Sequence, residues 1–411
     1  MPKPKTIIWF VYQFESPGGG ERWILEAEKV LSRKGVKTHI ICVAYDEKVL
    51  FNHSYSVIVK ILQKGAPKLG GFLQKSIRFL SMVKALRSEI KLINPDMVMN
   101  QGLREYVITY LATRFTRTKY SNMDFGQLYQ IEGINIIYSY FYRPHLKKIS
   151  EWMHTKGENL NSTLQSMTLK QRIQNEAKGL LLYLSYRSSA QIFTLSEKVK
   201  REAKLLYGRD AVVLKGAYDE SLLAVNQSIG SLPSPGSKAI ILTVGRLVFH
   251  KRVDLMIRAL SLLRGQYPNF RFLIGGSGPE MERLKSLTQE LKLDDHVEFL
   301  GYIEESLLMS YYRSCDVFSV MDPADYDITP MVALALGKRV VCPAIMEFDY
   351  AIESSGALFR TAPEPKKIAL ALQDALNSNS SKSIPQMPEM YQNYTWESCF
   401  TKMYNAWIET T

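Results

Sequence analysis

Apolar residues follow two alternating rhythms along the chain. "TIIWFVY" (Thr6–Tyr12) is a nearly unbroken apolar run of strand length, and beyond the turn "SPGGGERW" (Ser16–Trp23) the apolar positions of "ILEAEKVLSRKG" spread to a helical period. This predicts a strand over Thr6–Tyr12, a helix over Glu21–Ser32 stopped at Gly35, and a strand over Lys37–Tyr45. Together they form a βαβ unit with a parallel strand pair. Pro95–Asn100 and Lys119–Phe125 read as further strands on either side of the helix-like "REYVITYLATRF". In "AQIFTLSEKVKREAKLLYG" a strand is followed by a helix with Ser196 as its cap and Gly208 as its stop, and "AVVLKGAYD" is one more strand and turn.

The alternation breaks at "SIGSLPSPGS" (Ser228–Ser237), whose small residues, prolines and glycines read as an interdomain linker. It then restarts through "KAIILTVGR", "HKRVDLMIRALSLLRGQ", "NFRFLIGGSGPE", "MERLKSLTQELKL" and "HVEFLG", and continues to the helix in "PKKIALALQDALNS". Two runs of alternating β and α predict an α/β protein with two Rossmann-like, doubly wound domains facing a cleft, where ligands sit at strand carboxyl ends. The first domain is expected over residues 1–227, with an aromatic, basic, helical insertion at 131–186. The second is expected over residues 238–390.

Length agrees with two domains: 411 residues exceed what one core usually spans. The chain is 46% hydrophobic and 22% charged, as in soluble globular proteins, and no apolar run approaches the roughly 20 residues that span a bilayer. The N-terminal apolar run leads into "FESPGGGE" rather than a small-residue cleavage site, so it reads as a strand and not as a signal peptide. Four scattered cysteines suit reduced thiols in a cytoplasmic protein, and neither they nor the six histidines show a metal-ligand spacing, so no metal is expected.

Charge changes the picture more. Residues 1–230 carry 34 Lys and Arg against 19 Asp and Glu, net +15, whereas residues 231–411 are at −3, which points the first half toward an anionic partner. In Lys75–Leu92, Phe79, Met82, Val83, Leu86 and Ile90 share one helical face, with Lys84, Arg87 and Lys91 on another. Such a helix packs on a sheet with a solvated outer face, or it meets anionic lipid headgroups at the inner face of a membrane. Nucleic acid is disfavoured, because no recognised binding module appears.

Four turns carry candidate chemistry. Gly18, Gly19 and Gly20 join a strand to a helix N-terminus. They suit either a ligand loop or a flexible turn, and they do not form the G-x-G-x-x-G dinucleotide fingerprint. In "VGRLVFHKRVDLMI", Gly245 and Arg246 end a strand and Lys251 stands near the next helix. The two cations suit a diphosphate clamp or a pair of solvated charges. "GGSGPE" places Gly276, Gly278 and Pro279 in a turn that a base or ribose could approach, or that is an ordinary βα turn. In "MDPADYDITPMVALALG", Asp322, Asp325 and Asp327 could accept hydroxyl hydrogen bonds, and the amides from Ile328 and Thr329 to Met331 could hold phosphate. The alternative is a solvated acidic turn with an aspartate cap.

The order of "PGGGERW…AEKVLSRKGVKTHI", "VGRLVFHKRVDLMIRAL", "GGSGPEMERL", "CDVFSVMDPADYD…ALALGKRVV" and "YTWESCFTKMYNAW" resembles family-four retaining glycosyltransferases with the GT-B fold, most closely in the second domain and the first βαβ unit. The resemblance implies transfer of a sugar from a nucleoside-diphosphate sugar to a glycan or lipid-linked acceptor, with retention of anomeric configuration and without a metal or other cofactor. It implies that Arg246 and Lys251 grip the diphosphate, that Gly18–Gly20 line the cleft, and that a helix in 391–411 returns to the first domain. Two departures stand out. The second of the family's two usual glutamates falls on Val332, and the first falls near Ala324 or, with a one-residue shift, on Asp325, so a ribose-binding carboxylate is either missing or relocated to Asp327 or Glu347. Where the family often has a first-domain histidine, this chain offers Asn100–Gln101 and Asn122–Met123–Asp124, with Asp124 as the nearest polar candidate. Val332 also leaves open a non-catalytic GT-B protein, and the fold alone would admit a nucleotide-sugar epimerase.

Overall fold

The computed structural model describes residues 6–15, 18–50, 58–62, 71–125, 168–218, 238–324, 326–378 and 392–410. The expected linker Ser228–Ser237, residues 131–167 of the expected insertion, and Asp325 lie outside the described residues. The chain forms two units, residues 1–214 with 399–411, and residues 215–398.

In the first unit, β1 (Thr6–Phe14), α1 (Gly19–Arg33), β2 (Lys37–Tyr45), β3 (Ile58–Ile61), α2 (Gly71–Ile93), β4 (Met97–Gln101), α3 (Leu103–Thr113), β5 (Lys119–Asp124), α4 (Leu169–Ser188), β6 (Gln191–Thr194), α5 (Glu197–Tyr207) and β7 (Val212–Val213) follow one another. The sheet order is β3-β2-β1-β4-β5-β6-β7, with every pairing parallel. Parallel strands covered on both faces must be apolar throughout, and Ile7–Phe10 and Ile40–Cys42 are fully buried. Val83, Leu86 and Ile90 of α2 pack on this sheet as their spacing predicts. Arg87 departs from the expected solvated face: it donates to the Ala112 carbonyl at 3.1 Å and to that of Leu111, so it caps the negative end of α3. Ser196 caps α5 through the Val199 amide, and Gly208, at φ +64°, ends it.

In the second unit, β8 (Ala239–Val244), α6 (Val253–Leu263), β9 (Phe270–Gly275), α7 (Met281–Glu290), β10 (Val297–Gly301), α8 (Glu305–Ser314), β11 (Val317–Ser319), α9 (Ile328–Ala335), β12 (Arg339–Pro343), α10 (Tyr350–Glu353), β13 (Leu358–Thr361) and α11 (Pro365–Asn377) build a parallel sheet ordered β10-β9-β8-β11-β12-β13. Ile241, Phe272, Ile274, Val317 and Val341 share a core with Ile257 and Leu260 of α6 and Ile368 and Leu372 of α11. The last helix, α12 (Trp396–Thr410), belongs to the first unit from Cys399 onward. There Phe400 meets Trp23 edge-on and Trp407 meets Phe193.

The second unit begins at Lys215, because Lys215 pairs with Asp349 at 2.7 Å, Gly216 accepts from the Tyr326 hydroxyl and Ala217 donates to Tyr394. Among the described residues, no helix is long and apolar enough to cross a membrane.

Candidate functional site

Both sheets reverse their strand order once, between β1 and β4 and between β8 and β11. At such a switch point the loops leaving the two central strands diverge, which opens a crevice at the strand carboxyl ends. In the second unit, the loop after β8 carries Gly245, Arg246 and Lys251, and the loop after β11 carries Asp322 and Asp327. The crevice topology therefore brings together residues that stand 76 positions apart in the chain.

Lys251 ends a short 3-10 turn (Phe249–Lys251) just ahead of α6. Its ammonium lies 2.5 Å from Asp322 Oδ2 and 2.8 Å from Asp327 Oδ2, with a quarter of the side chain exposed. Burial opposes its charge, but the two carboxylates outweigh burial and raise its pKa. Burial likewise opposes ionisation of Asp327, whereas Lys251 and the Thr329 N–H hold its pKa below the usual value. Lys251, expected to help grip a diphosphate, is thus held between two aspartates. Two of its three N–H donors serve aspartates, in the position that a divalent cation would take between two carboxylates, and one donor is left over.

Asp327 is equally occupied. Oδ2 accepts from Lys251, while Oδ1 caps α9 through the Thr329 amide at 3.0 Å and accepts from the Thr329 hydroxyl at 3.1 Å. Of the amides expected to hold phosphate, that of Thr329 is used, Pro330 has none and that of Met331 opens the intrahelical ladder, so Ile328 is left as a donor. Val332 is buried within α9, so an apolar side chain takes the place of the family's second glutamate. Glu347 lies half-buried in the loop leaving β12, at the same sheet edge.

Arg246 is exposed, and its side chain makes no hydrogen bond or ion pair among the described residues. With Gly245, Lys251 and Asp327 it lines a small cavity of about 10 Å³, the room of one water.

The glycines of this edge divide into two kinds. A Cβ on Gly276, which sits at φ +123°, would collide with the Gly245 carbonyl, and one on Gly278 would collide with the Leu247 carbonyl. The two turns are stitched together by Leu247 N to Ser277 O at 2.9 Å and Glu280 N to Leu247 O at 3.1 Å. What comes close to Gly276 and Gly278 is thus the neighbouring turn, and Pro279 is exposed beside them. A Cβ on Gly245, by contrast, meets no atom within 4 Å. Gly276→Ala therefore costs about 2–4 kcal/mol of stability, whereas Gly245→Ala leaves the melting temperature unchanged. Denaturant titration of the two variants reads the contrast.

In the first unit, Gly18 is the N-cap of α1, and Gly19 and Gly20 form its first turn. A Cβ on Gly20 would stand 3.6 Å from Gln101 Nε2, an ordinary contact, so packing does not require a glycine there. Asp124, the nearest polar candidate for the first-domain position, ends β5 and is 1% exposed. Its Oδ1 lies 2.7 Å from the Tyr106 hydroxyl and 2.6 Å from the Tyr186 hydroxyl, and Oδ2 has no partner among the described residues. Burial, only partly offset by the two tyrosines, pushes its pKa up to about 7. Sequence reasoning missed both tyrosines, because no periodicity links α3 and α4 to the end of β5. The four cysteines are buried and free, and burial raises their thiol pKa values, which makes them inert packing groups.

Comparison with known proteins agrees with this architecture. The family described as "Glycosyl transferases group 1" matches residues 225–395. Among relatives, an uncharacterized glycosyltransferase of Methanocaldococcus jannaschii is 25% identical over 55% of this chain and 61% of its own length. A phosphatidylinositol N-acetylglucosaminyltransferase component of Arabidopsis thaliana is 35% identical over 38% of this chain and 35% of its own. A GDP-mannose-dependent alpha-(1-6)-phosphatidylinositol monomannoside mannosyltransferase of Mycolicibacterium smegmatis is 33% identical over 26% of this chain and 30% of its own. The chain thus spans under two thirds of the length of each of these relatives. Among solved structures, the sucrose-phosphate synthase of Thermosynechococcus elongatus superposes with a TM-score of 0.71 at 15% identity, covering 98% of both chains. Anabaena HepE in complex with UDP and glucose gives 0.68 at 16%, covering 98% of this chain and all of that one. Residues 225–395 thus match the group 1 glycosyl transferases, and the two parallel sheets have the GT-B fold.

Proposed function

We propose that this protein transfers a sugar from a nucleoside-diphosphate sugar to a glycan or lipid-linked acceptor, with retention of anomeric configuration. The observation that carries this reading is the pair Gly245 and Arg246. An open glycine and an exposed cation without a partner among the described residues stand together at the switch point of the second sheet, inside the stretch that matches the family. Packing gives Gly245 no reason to lack a side chain, whereas a diphosphate approaching the β8 loop does. The relatives named for GDP-mannose and for phosphatidylinositol-linked acceptors support a nucleotide donor and a lipid-linked acceptor.

In this scheme Arg246, the third N–H of Lys251 and the Ile328 amide stabilise negative charge as it develops on the leaving diphosphate. The leaving phosphate takes the acceptor proton, so no protein carboxylate has to act as a strong base. Asp322 and Asp327 hold the Lys251 ammonium in place, and no divalent cation is needed between them. The excess positive charge of residues 1–230 draws the protein to an anionic membrane surface that carries the acceptor.

A melting-temperature panel with UDP, GDP, ADP and their sugars tests the donor reading. One nucleotide at 100 times its dissociation constant stabilises by about 2.7 kcal/mol, and Arg246→Ala abolishes the shift. The donor reading is lost if no nucleotide shifts the wild type. Val332 favours one second reading, a protein that binds the donor without turning it over. Released nucleoside diphosphate, measured with a glycan or lipid-phosphate acceptor present, separates the two.

A further inference from the structure

At the opposite edge of the first sheet from Gly18 and Asp124, where β5 and β6 begin, the chain forms a recess of about 550 Å³. It is lined by Arg114, Thr116, Arg117, Thr118, Lys119 and Ser188 together with the rings of Tyr110 and Tyr120, and no carboxylate among the described residues lines it. Arg114 spends one donor on the Tyr110 hydroxyl at 3.0 Å, and its other N–H groups meet no acceptor among the described residues. Arg117 makes no hydrogen bond or ion pair among the described residues. Next to them, Arg209 donates to the Ser189 and Ala190 carbonyls and Arg87 to those at the end of α3, so the backbone oxygens around the recess are already served by other cations.

Phe115 stands between the two arginines at φ +70° with 91% of its surface exposed. A bulky aromatic residue in the left-handed region is strained and here gains no burial in exchange. Three cations and no acid among the described residues of one recess match a tetrahedral oxyanion, since guanidinium forks donate to phosphate oxygens, whereas the Thr116 hydroxyl is spent on the Thr113 carbonyl at 2.7 Å.

We propose that this recess is a phosphate-binding site, separate from the donor site, which Arg114, Arg117 and Lys119 hold open for a phosphoryl group borne either by a lipid headgroup or by a small soluble molecule. The site lies about 17 Å of strand away from Asp124 and in a different unit from Arg246. Its occupation therefore does not depend on the donor reading, and either can fail alone.

The test uses the full chain with Arg246→Ala in every sample, so that donor-site binding is suppressed. In one arm, flotation with phosphatidylglycerol vesicles is compared with neutral phosphatidylcholine vesicles. In the other, glycerol 3-phosphate and inorganic phosphate are titrated calorimetrically. Arg114→Ala with Arg117→Ala weakens binding about thirty-fold, at about a factor of five per cation near an anionic surface, and Arg117→Ala alone weakens it about five-fold. The latter touches only an exposed side chain, so it keeps the test valid should loss of the Tyr110 contact disturb folding. Binding to anionic vesicles that is also weakened by Phe115→Ser assigns the phosphate to lipid, whereas equal binding of glycerol 3-phosphate assigns it to a soluble ligand. Equal affinities for wild-type and Arg117→Ala recesses in both arms overturn the proposal.

Discussion

Arg246→Ala lowers turnover about 10²–10³-fold and leaves folding intact, whereas Lys251→Met unfolds the second unit before its chemistry can be read. The two cations belong to one short motif, "GRLVFHK", but differ in what holds them. The Arg246 side chain is exposed and unpaired among the described residues, so truncation removes only the donor that the proposed function assigns to the leaving group; loss of one such donor costs about 10²–10³ in rate. Lys251 neutralises Asp322 and Asp327, whose side chains are only 8% and 11% exposed. Removing it strands two carboxylates in a nearly dry site, at a cost of about 3–5 kcal/mol. The pH dependence of that cluster has a definite sign. Asp327 has a depressed pKa, so its contribution is complete above its ordinary value of 3.8 and is lost as the pH falls below it. Lys251 has a raised pKa, so its contribution persists through neutrality and is lost only in strong alkali. Urea titrations at pH 7 and initial rates on the folded fraction check both halves. A Lys251→Met protein as stable as wild type would show that the aspartates do not depend on the lysine.

The fold was legible because both sheets are made of apolar strands separated by amphipathic helices, and a parallel sheet needs no further signal. Ser196, Gly208 and the buried face of α2 stand where local pattern puts them. The site was legible only in part. Arg246 and Lys251 could be found from a strand end and its spacing, but the partners of Lys251 come from a loop 76 residues away and read as free hydroxyl acceptors until the crevice closes on them. Gly276 and Gly278 show the complementary difficulty. A glycine marks a close approach without saying what approaches, and here it is the backbone of the next turn. Asp124 reads as a polar strand end because nothing local announces that α3 and α4 will each lay a tyrosine over it.

That burial gives Asp124 its own expected behaviour: between pH 5 and pH 8 the wild type loses stability that Asp124→Asn retains. The Tyr106 hydroxyl oxygen lies 2.6 Å from the Met123 carbonyl as well as 2.7 Å from Asp124 Oδ1, and the Tyr186 hydroxyl lies 2.6 Å from the same Oδ1. A carbonyl oxygen only accepts, so with an ionised carboxylate two phenolic protons must serve three short contacts. A protonated carboxyl supplies the third. Tyr186 then donates to Asp124, the acid donates to Tyr106, and Tyr106 donates to Met123. The raised pKa agrees with this count. An unfolded chain releases this proton near 3.8 and the folded one near 7, so in that window the folded state holds more protons and stability falls as pH rises. The slope approaches about 1.4 kcal/mol per pH unit at its steepest, and the total is of order a few kcal/mol. Asparagine keeps the shape and, with Nδ2 in the contacting position, donates to both tyrosine oxygens while Tyr106 donates to Met123, but it has no titrating proton to lose. Glu105, which accepts from the Tyr12 amide, and Tyr207, stacked on Tyr186, face the same cluster in both proteins, so their titration cancels in the difference. Urea midpoints measured across pH 5–8 read that difference directly: the two curves diverge with rising pH if Asp124 is held protonated, and they run parallel if it is ionised throughout.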